Sequence, residues 1–274
     1  MDWVVVPYPL GSRTFAYPEF GASVEPQRNN DSAFGSPRQK ALSMNLEQTY
    51  RTIWSRKLQD IQPPKDQHID RVNWVTELFD EQIKGPLLDI GSGSGQMLWE
   101  AQKRGWQHLG IELDVEVCEW LRTQGYVVMH ADINTFPLDA MVGEFNVVTL
   151  CDVIEHLIDP ENVLREAYRV LRPGGQIYIG TPNACNWRRV LSLLKGRMFR
   201  TSGDNILRDG GHLAYFGPDD LRELVESVGF RKPMTHYQGY DRAPLAWIHA
   251  LGELGLTVQP SCEHSYLIVE AQKP

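Results

Sequence analysis

Between residues 87 and 180 the chain alternates short apolar runs with stretches of helical periodicity, and this rhythm restricts the fold more than any other feature. The runs occupy residues 87–90, 108–112, 127–130, 145–151 and 176–180. Runs this short and this continuously apolar suit strands buried on both faces, and the intervening helical stretches provide the crossovers that parallel strands need. The expectation is an α/β fold built on a doubly wound, mostly parallel sheet. One helix is well marked: Asp159 can cap it, Pro160 fits its first turn, and Val163, Ala167, Val170 and Leu171 form the buried stripe before Pro173-Gly174-Gly175 stops it. A second, GPDDLRELVESVGF, turns Leu221, Leu224, Val225 and Val228 inward. The run YLIVEA near the end reads as a last strand, pairing antiparallel with residues 230–237 at an edge.

The flanks carry less regular signals. Residues 1–41 mix Pro, Gly, Ser, Asn and aromatics, a composition of turns and short extended pieces, and are expected to form an irregular N-terminal extension. Residues 42–61 are helical in pattern, with Leu46, Tyr50, Ile53, Trp54 and Leu58 on one face, and a second helix is expected over residues 69–83. The main domain is thus expected to span residues 42–274. Within it, residues 183–211 form a basic, amphipathic insertion too long for an ordinary connection, which reads as a lid.

Composition excludes several classes. A hydrophobic content of 42% supports a full core, and 27 basic against 35 acidic residues leave a net charge of −8, which argues against a general grip on nucleic acid. Cys118, Cys151, Cys185 and Cys262 are dispersed and form no CxxC pair, so neither a disulfide framework nor a zinc site is indicated. The opening MDWVVVPYPL lacks a basic leader and a long apolar core, and no apolar run approaches the roughly 20 residues that span a bilayer. The expected setting is cytoplasmic.

The first apolar run leads into LLDIGSGSGQML, where Asp89 is followed by Gly91, Gly93 and Gly95. Bare backbone at the carboxyl edge of such a sheet admits adenosine-bearing ligands. A dinucleotide fingerprint would need a third glycine where Gln96 stands, so an NAD site is not met. At this point the chain resembles the class I S-adenosylmethionine-dependent methyltransferases, a Rossmann-like fold in which a D-x-G-x-G-x-G turn holds the methionine end of the cofactor. The next strand ends in GIELD, where Glu112 matches the carboxylate that accepts the ribose hydroxyls. The HAD that follows offers Asp132 for the adenine amino group and Ile133 for a backbone contact, and Cys151 ends the fourth strand beside the cofactor. The chain looks most like the broad group holding ubiquinone-type O-methyltransferases and other small-molecule tailoring enzymes. That resemblance implies S-adenosylmethionine as cofactor and a small-molecule acceptor, methylated on the oxygen of a natural product, sugar or quinone-like compound. Nitrogen on an amine or peptide, or cofactor binding without catalysis, are the alternatives. Tyr50 and Trp54 stand where relatives carry an aromatic pair, but aromatics at helical spacing more often serve the core.

The acceptor side is expected just after the fourth strand, in CDVIEHL, and at His212 in GGHLAYF. A hydroxyl acceptor needs its proton removed, so His156 and His212 are the expected catalytic residues, as base or substrate contact. Asp152, Glu155, His156 and His212 also resemble the divalent-metal set of small-RNA 2′-O-methyltransferases. The first ligand would be Asp152, shorter than the usual Glu, and the metal-free reading is preferred.

Overall fold

The computed structural model describes residues 3–5, 16–18, 63, 70–135, 138, 141–196, 212–244, 249, 251–253 and 259–274. The chain forms two compact units, Met1–Phe34 and Gly35–Pro274. In the first, β1 (Trp3–Val5) pairs antiparallel with β2 (Ala16–Pro18). The helix expected over residues 42–61, with Tyr50 and Trp54, lies outside the described residues. So do residues 197–211 of the expected lid.

The second unit holds a seven-stranded sheet in the order β5-β4-β3-β6-β7-β9-β8. Its strands are β3 (Leu87–Ile90), β4 (His108–Glu112), β5 (Val128–His130), β6 (Phe145–Cys151), β7 (Leu171–Pro182), β8 (Arg231–Tyr240) and β9 (His264–Gln272). β3 through β7 run parallel, whereas β9 is antiparallel to both β7 and β8. The expected last strand therefore does pair with the 230s segment, but it inserts between β7 and β8 and leaves β8 as the edge. From β3 the chain winds outward to β4 and β5 and then crosses back to β6 on the other side of β3. That reversal opens a crevice at the carboxyl ends of β3 and β6, where open α/β sheets bind ligands.

Every residue of β3 and of β4 is buried, which explains apolar runs without alternation. The covering helices are α1 (Asp70–Thr76), α2 (Gln96–Lys103), α3 (Val115–Thr123), α4 (Pro160–Val170), α5 (Trp187–Leu194) and α6 (Pro218–Val228). In α4 the Asp159 carboxylate accepts the Asn162 amide at 3.1 Å, and Val163, Leu164, Ala167 and Val170 are buried. Burial of each large apolar side chain contributes about 1.5–3 kcal/mol, more than the cap, so the cap sets where α4 starts and the stripe holds it down. α1 is shorter than its periodicity predicts. Beyond Thr76 the chain turns, and Phe79 packs on Trp106 (5.5 Å between ring centres) and Tyr178 (4.9 Å), so the apolar spacing there serves a turn. β7 starts earlier than expected: Leu171 pairs with Phe145, the register shifts, and Gly174 takes a left-handed φ of 80° before Gln176 pairs with Val147. The PGG segment is an irregularity within a strand rather than a stop before it. Among the described residues no helix is long and apolar enough to cross a membrane.

Candidate functional site

The turn after β3 has the backbone its glycines suggest. Gly91, Gly93 and Gly95 all have positive φ (75°, 48° and 77°), the region that costs any other residue about 1–2 kcal/mol. At Gly91 space forbids a side chain as well, because a Cβ there would lie 2.4 Å from Val153 Cγ2. Gly95 is the N-cap of α2, so the helix points its N-terminus at the turn. Asp89 works from beneath. It is buried, accepts the Thr149 hydroxyl at 2.7 Å, and so ties β3 to β6. Burial pushes its pKa up to about 7, against the pull of the Thr149 and Ser92 hydroxyls.

Glu112 ends β4 facing the same turn. Its Oε2 accepts the Gly93 amide at 2.8 Å, and its Oε1 accepts the amides of Leu113 (2.8 Å) and Asp114 (3.0 Å). Burial raises its pKa, and those three amides lower it. Asp132 follows β5, and its Oδ1 accepts both the backbone amide and the side-chain amide of Asn134 at 2.9 Å. Asn134 Oδ1 in turn accepts the Ile158 amide at 2.9 Å, joining the loop after β5 to the segment after β6. Ile133 is buried beside it, and Cys151 closes β6, its thiol pushed well up by burial. The carboxyl ends of β3, β4, β5 and β6 thus carry the expected set along one edge.

The other half of the site follows β6. Glu155 and His156 lie on a short 3₁₀ turn, Ile154–His156, and Glu155 is 2% exposed. Thr181 at the end of β7 donates to Glu155 Oε2 at 2.9 Å, while Oε1 has no hydrogen-bond partner among the described residues. The Nε2 atoms of His156 and His212 each stand 3.9 Å from Oε1, and the two rings meet edge to face at 4.8 Å. His212 arrives because the Glu155 carbonyl accepts the amides of Leu213 (2.7 Å) and Ala214 (3.0 Å). Distances alone would suggest ion pairs. Burial, then the charge of Asp152, pushes the Glu155 carboxyl up to about 8, however, and burial, then Arg189 and Arg71, pushes His212 down to about 4. At neutral pH the two groups face each other uncharged.

Asp152 does not join this cluster. It adopts a φ of 54°, bonds the Gly180 carbonyl through its amide at 2.9 Å, and pairs its carboxylate with Arg71 at 2.9 Å. The four-residue metal set suggested by the sequence is therefore corrected to three: the donor atoms of Glu155, His156 and His212 lie within 4.8 Å of one another. Sequence reasoning missed Arg71, Thr181 and Tyr266. Arg71 lies on α1 with its guanidinium 5.2 Å from the centre of the Tyr266 ring. No motif marks these residues, since each reaches the site through a different element. The described part of the insertion, α5, is bound to the body by Trp187, whose indole donates to the Asp241 carbonyl at 2.8 Å, and by the Arg188–Asp241 ion pair. Leu194 at its end is 70% exposed.

A family model described as "Methyltransferase domain" matches residues 49–233, well over half of the chain. The chain is a class I S-adenosylmethionine-dependent methyltransferase by family. The cofactor of this methyltransferase is accordingly S-adenosylmethionine, and the glycine cradle, with its amide-held Glu112, fits an adenosine ligand. Among curated relatives, the ubiquinone biosynthesis O-methyltransferase of Pseudomonas aeruginosa is 32% identical over 135 residues, 47% of this chain and 57% of its own length. The methyltransferase thus spans under two thirds of the curated relatives it matches. Two solved structures share the fold. A possible histamine N-methyltransferase from Thermotoga maritima aligns over 83% of this chain and 99% of its own at 18% identity, TM-score 0.60. An S-adenosylmethionine-dependent methyltransferase from Mesorhizobium loti aligns over 74% and 99% at 16% identity, TM-score 0.56.

Proposed function

We propose that this methyltransferase transfers a methyl group from S-adenosylmethionine to a hydroxyl of a small-molecule acceptor and releases S-adenosylhomocysteine. The observation that carries the choice of oxygen is the pair of imidazoles at the end of β6, with His212 held neutral near physiological pH. An amine needs little more than alignment, whereas a hydroxyl gains from a neutral base at the site of transfer. The names of the Pseudomonas relatives support the same reading.

In this reading the backbone of Gly91, Gly93 and Gly95 lies against the cofactor, and Arg71 receives its carboxylate. Glu112 accepts the ribose hydroxyls with lone pairs not used by its three amides. Asp132 and Ile133 meet the adenine, and Cys151 lines the methyl-bearing end. S-adenosylmethionine supplies an electrophilic methyl on a sulfonium. His212 takes the acceptor proton; its Nε2 faces Glu155, and its Nδ1 is buried without a hydrogen-bond partner among the described residues. His156, edge-on to His212, contacts the acceptor and fixes that ring. A second reading is favoured by Glu155 Oε1, which lacks a hydrogen bond among the described residues and faces two imidazoles: Glu155, His156 and His212 would hold a divalent ion that polarises the hydroxyl.

The test is release of S-adenosylhomocysteine from purified protein offered a panel of catechols, phenols, sugars and amines, with and without EDTA. Turnover on hydroxyl acceptors that survives EDTA and fails in His212→Ala supports the base. Loss with EDTA and restoration by Mg²⁺ or Mn²⁺ moves the assignment to the metal. Turnover restricted to amines would reject O-methylation.

A further inference from the structure

Tyr266 is 2% exposed, yet its hydroxyl has no hydrogen-bond partner among the described residues. A buried donor left unbonded costs roughly 1–3 kcal/mol, and phenylalanine would fill the same space without that cost. The surroundings are built around the phenol. Gly180 lies beneath it on β7, and a Cβ there would come within 2.5 Å of the hydroxyl oxygen. Gly180 also pairs with Cys151 and accepts the Asp152 amide, so the hydroxyl sits at the end of β6 where the site opens. Across the ring lies Arg71, its guanidinium carbon 5.2 Å from the centre, with Trp74 at 5.8 Å supporting the ring from α1. The carboxylate that Arg71 holds, Asp152, is the leading charged influence on the phenol, ahead of Cys151 and Glu155.

We propose that Tyr266 is a positioning residue for a carboxylate subsite centred on Arg71, a proposal that rests on the reading that S-adenosylmethionine occupies this edge. Its ring carries the guanidinium, and its hydroxyl takes over Asp152 when Arg71 turns to the carboxylate of a bound ligand. The Asp152 carboxylate, on left-handed backbone, stands 2.9 Å from Arg71 and acts electrostatically on the phenol. A cation over an aromatic face stays orientable, because the attraction depends weakly on rotation about the ring normal.

The test compares S-adenosylhomocysteine, which carries the carboxylate, with 5′-methylthioadenosine, which does not, by calorimetry on the full chain. Tyr266→Phe should weaken S-adenosylhomocysteine about tenfold, the scale of one hydrogen bond to a charged group, and leave 5′-methylthioadenosine unchanged. Its ligand-free Tm should hold or rise, since an unbonded donor has been removed. In an Asp152→Asn background, where no carboxylate needs a new partner, Tyr266→Phe should cost nothing further. Equal weakening of both ligands, or no change in either, would overturn the proposal, as would a change confined to the KM of the acceptor. Failure of the unmodified protein to bind either nucleoside would instead reject the cofactor reading.

Discussion

The two halves of the site are built on opposite plans. On the donor side, carboxylates are held by main-chain amides: Glu112 by three of them, Asp132 by that of Asn134, with Asp89 fixed to the neighbouring strand by Thr149. On the acceptor side, side chains face side chains across long separations, and Glu155 Oε1 has no hydrogen bond among the described residues. A shell held by backbone is finished before its ligand arrives. A shell of side chains with unspent donors and acceptors is completed by what binds.

That contrast can be broken by mutations whose effects should divide between binding and turnover. The largest effect is expected from His212→Ala, which should lower turnover on a hydroxyl acceptor by about 10²–10⁴-fold, the usual worth of a positioned base, while calorimetry finds S-adenosylhomocysteine affinity within about twofold. A parallel loss of cofactor affinity would mean that the halves are not separable. Next comes Gly91→Val. Left-handed backbone strain and collision with Val153 together cost about 3 kcal/mol, so S-adenosylhomocysteine affinity should fall roughly a hundredfold. Glu112→Ala should cost about 2 kcal/mol, roughly thirtyfold, through the three orphaned amides and the lost ribose partner.

Proton linkage offers a milder probe. The Glu155 carboxyl is pushed up to about 8 in the folded chain from an ordinary value of 4.5, so the folded state binds the extra proton between those limits. Its contribution is full below about 4.5 and is lost as pH rises through 8, and Asp89, raised to about 7, acts in the same direction. His212, lowered to about 4, has the opposite sign: its contribution is present above 6.5 and lost as pH falls through 4. Ligand-free Tm should therefore decline between pH 5 and 8, and Glu155→Gln should flatten that decline. An unchanged slope would mean that Glu155 is ionised in the fold. The smallest effect is expected far from both halves, at Asp159→Ala, where loss of the α4 cap should lower stability by about 1 kcal/mol in chemical denaturation without altering ligand affinity.

The donor half was legible because its information is local. A strand, a turn and a helix N-terminus lie within the segment from Leu87 to Gln96, and the φ values that Gly91, Gly93 and Gly95 adopt are demanded by that turn wherever it occurs. Glu112 and Asp132 were named through the family resemblance, which marks carboxylates at those two strand ends. The acceptor half was half legible. Glu155, His156 and His212 were all named from sequence, but Asp152, three residues before Glu155, was grouped with them wrongly. Its backbone turns left-handed and sends its carboxylate to Arg71 on α1.

By itself, then, the amino-acid sequence determined the parallel α/β core, the glycine cradle and the acidic strand ends, since periodicity, capping and turn chemistry act over a few residues. Only the tertiary structure decided that β9 lies between β7 and β8, that Glu155 stands between two imidazoles, and that Arg71 and Asp152 meet over Tyr266. Those outcomes depend on which elements the crossovers bring side by side and on which charges burial leaves unscreened, and neither is written in the spacing of residues along the chain.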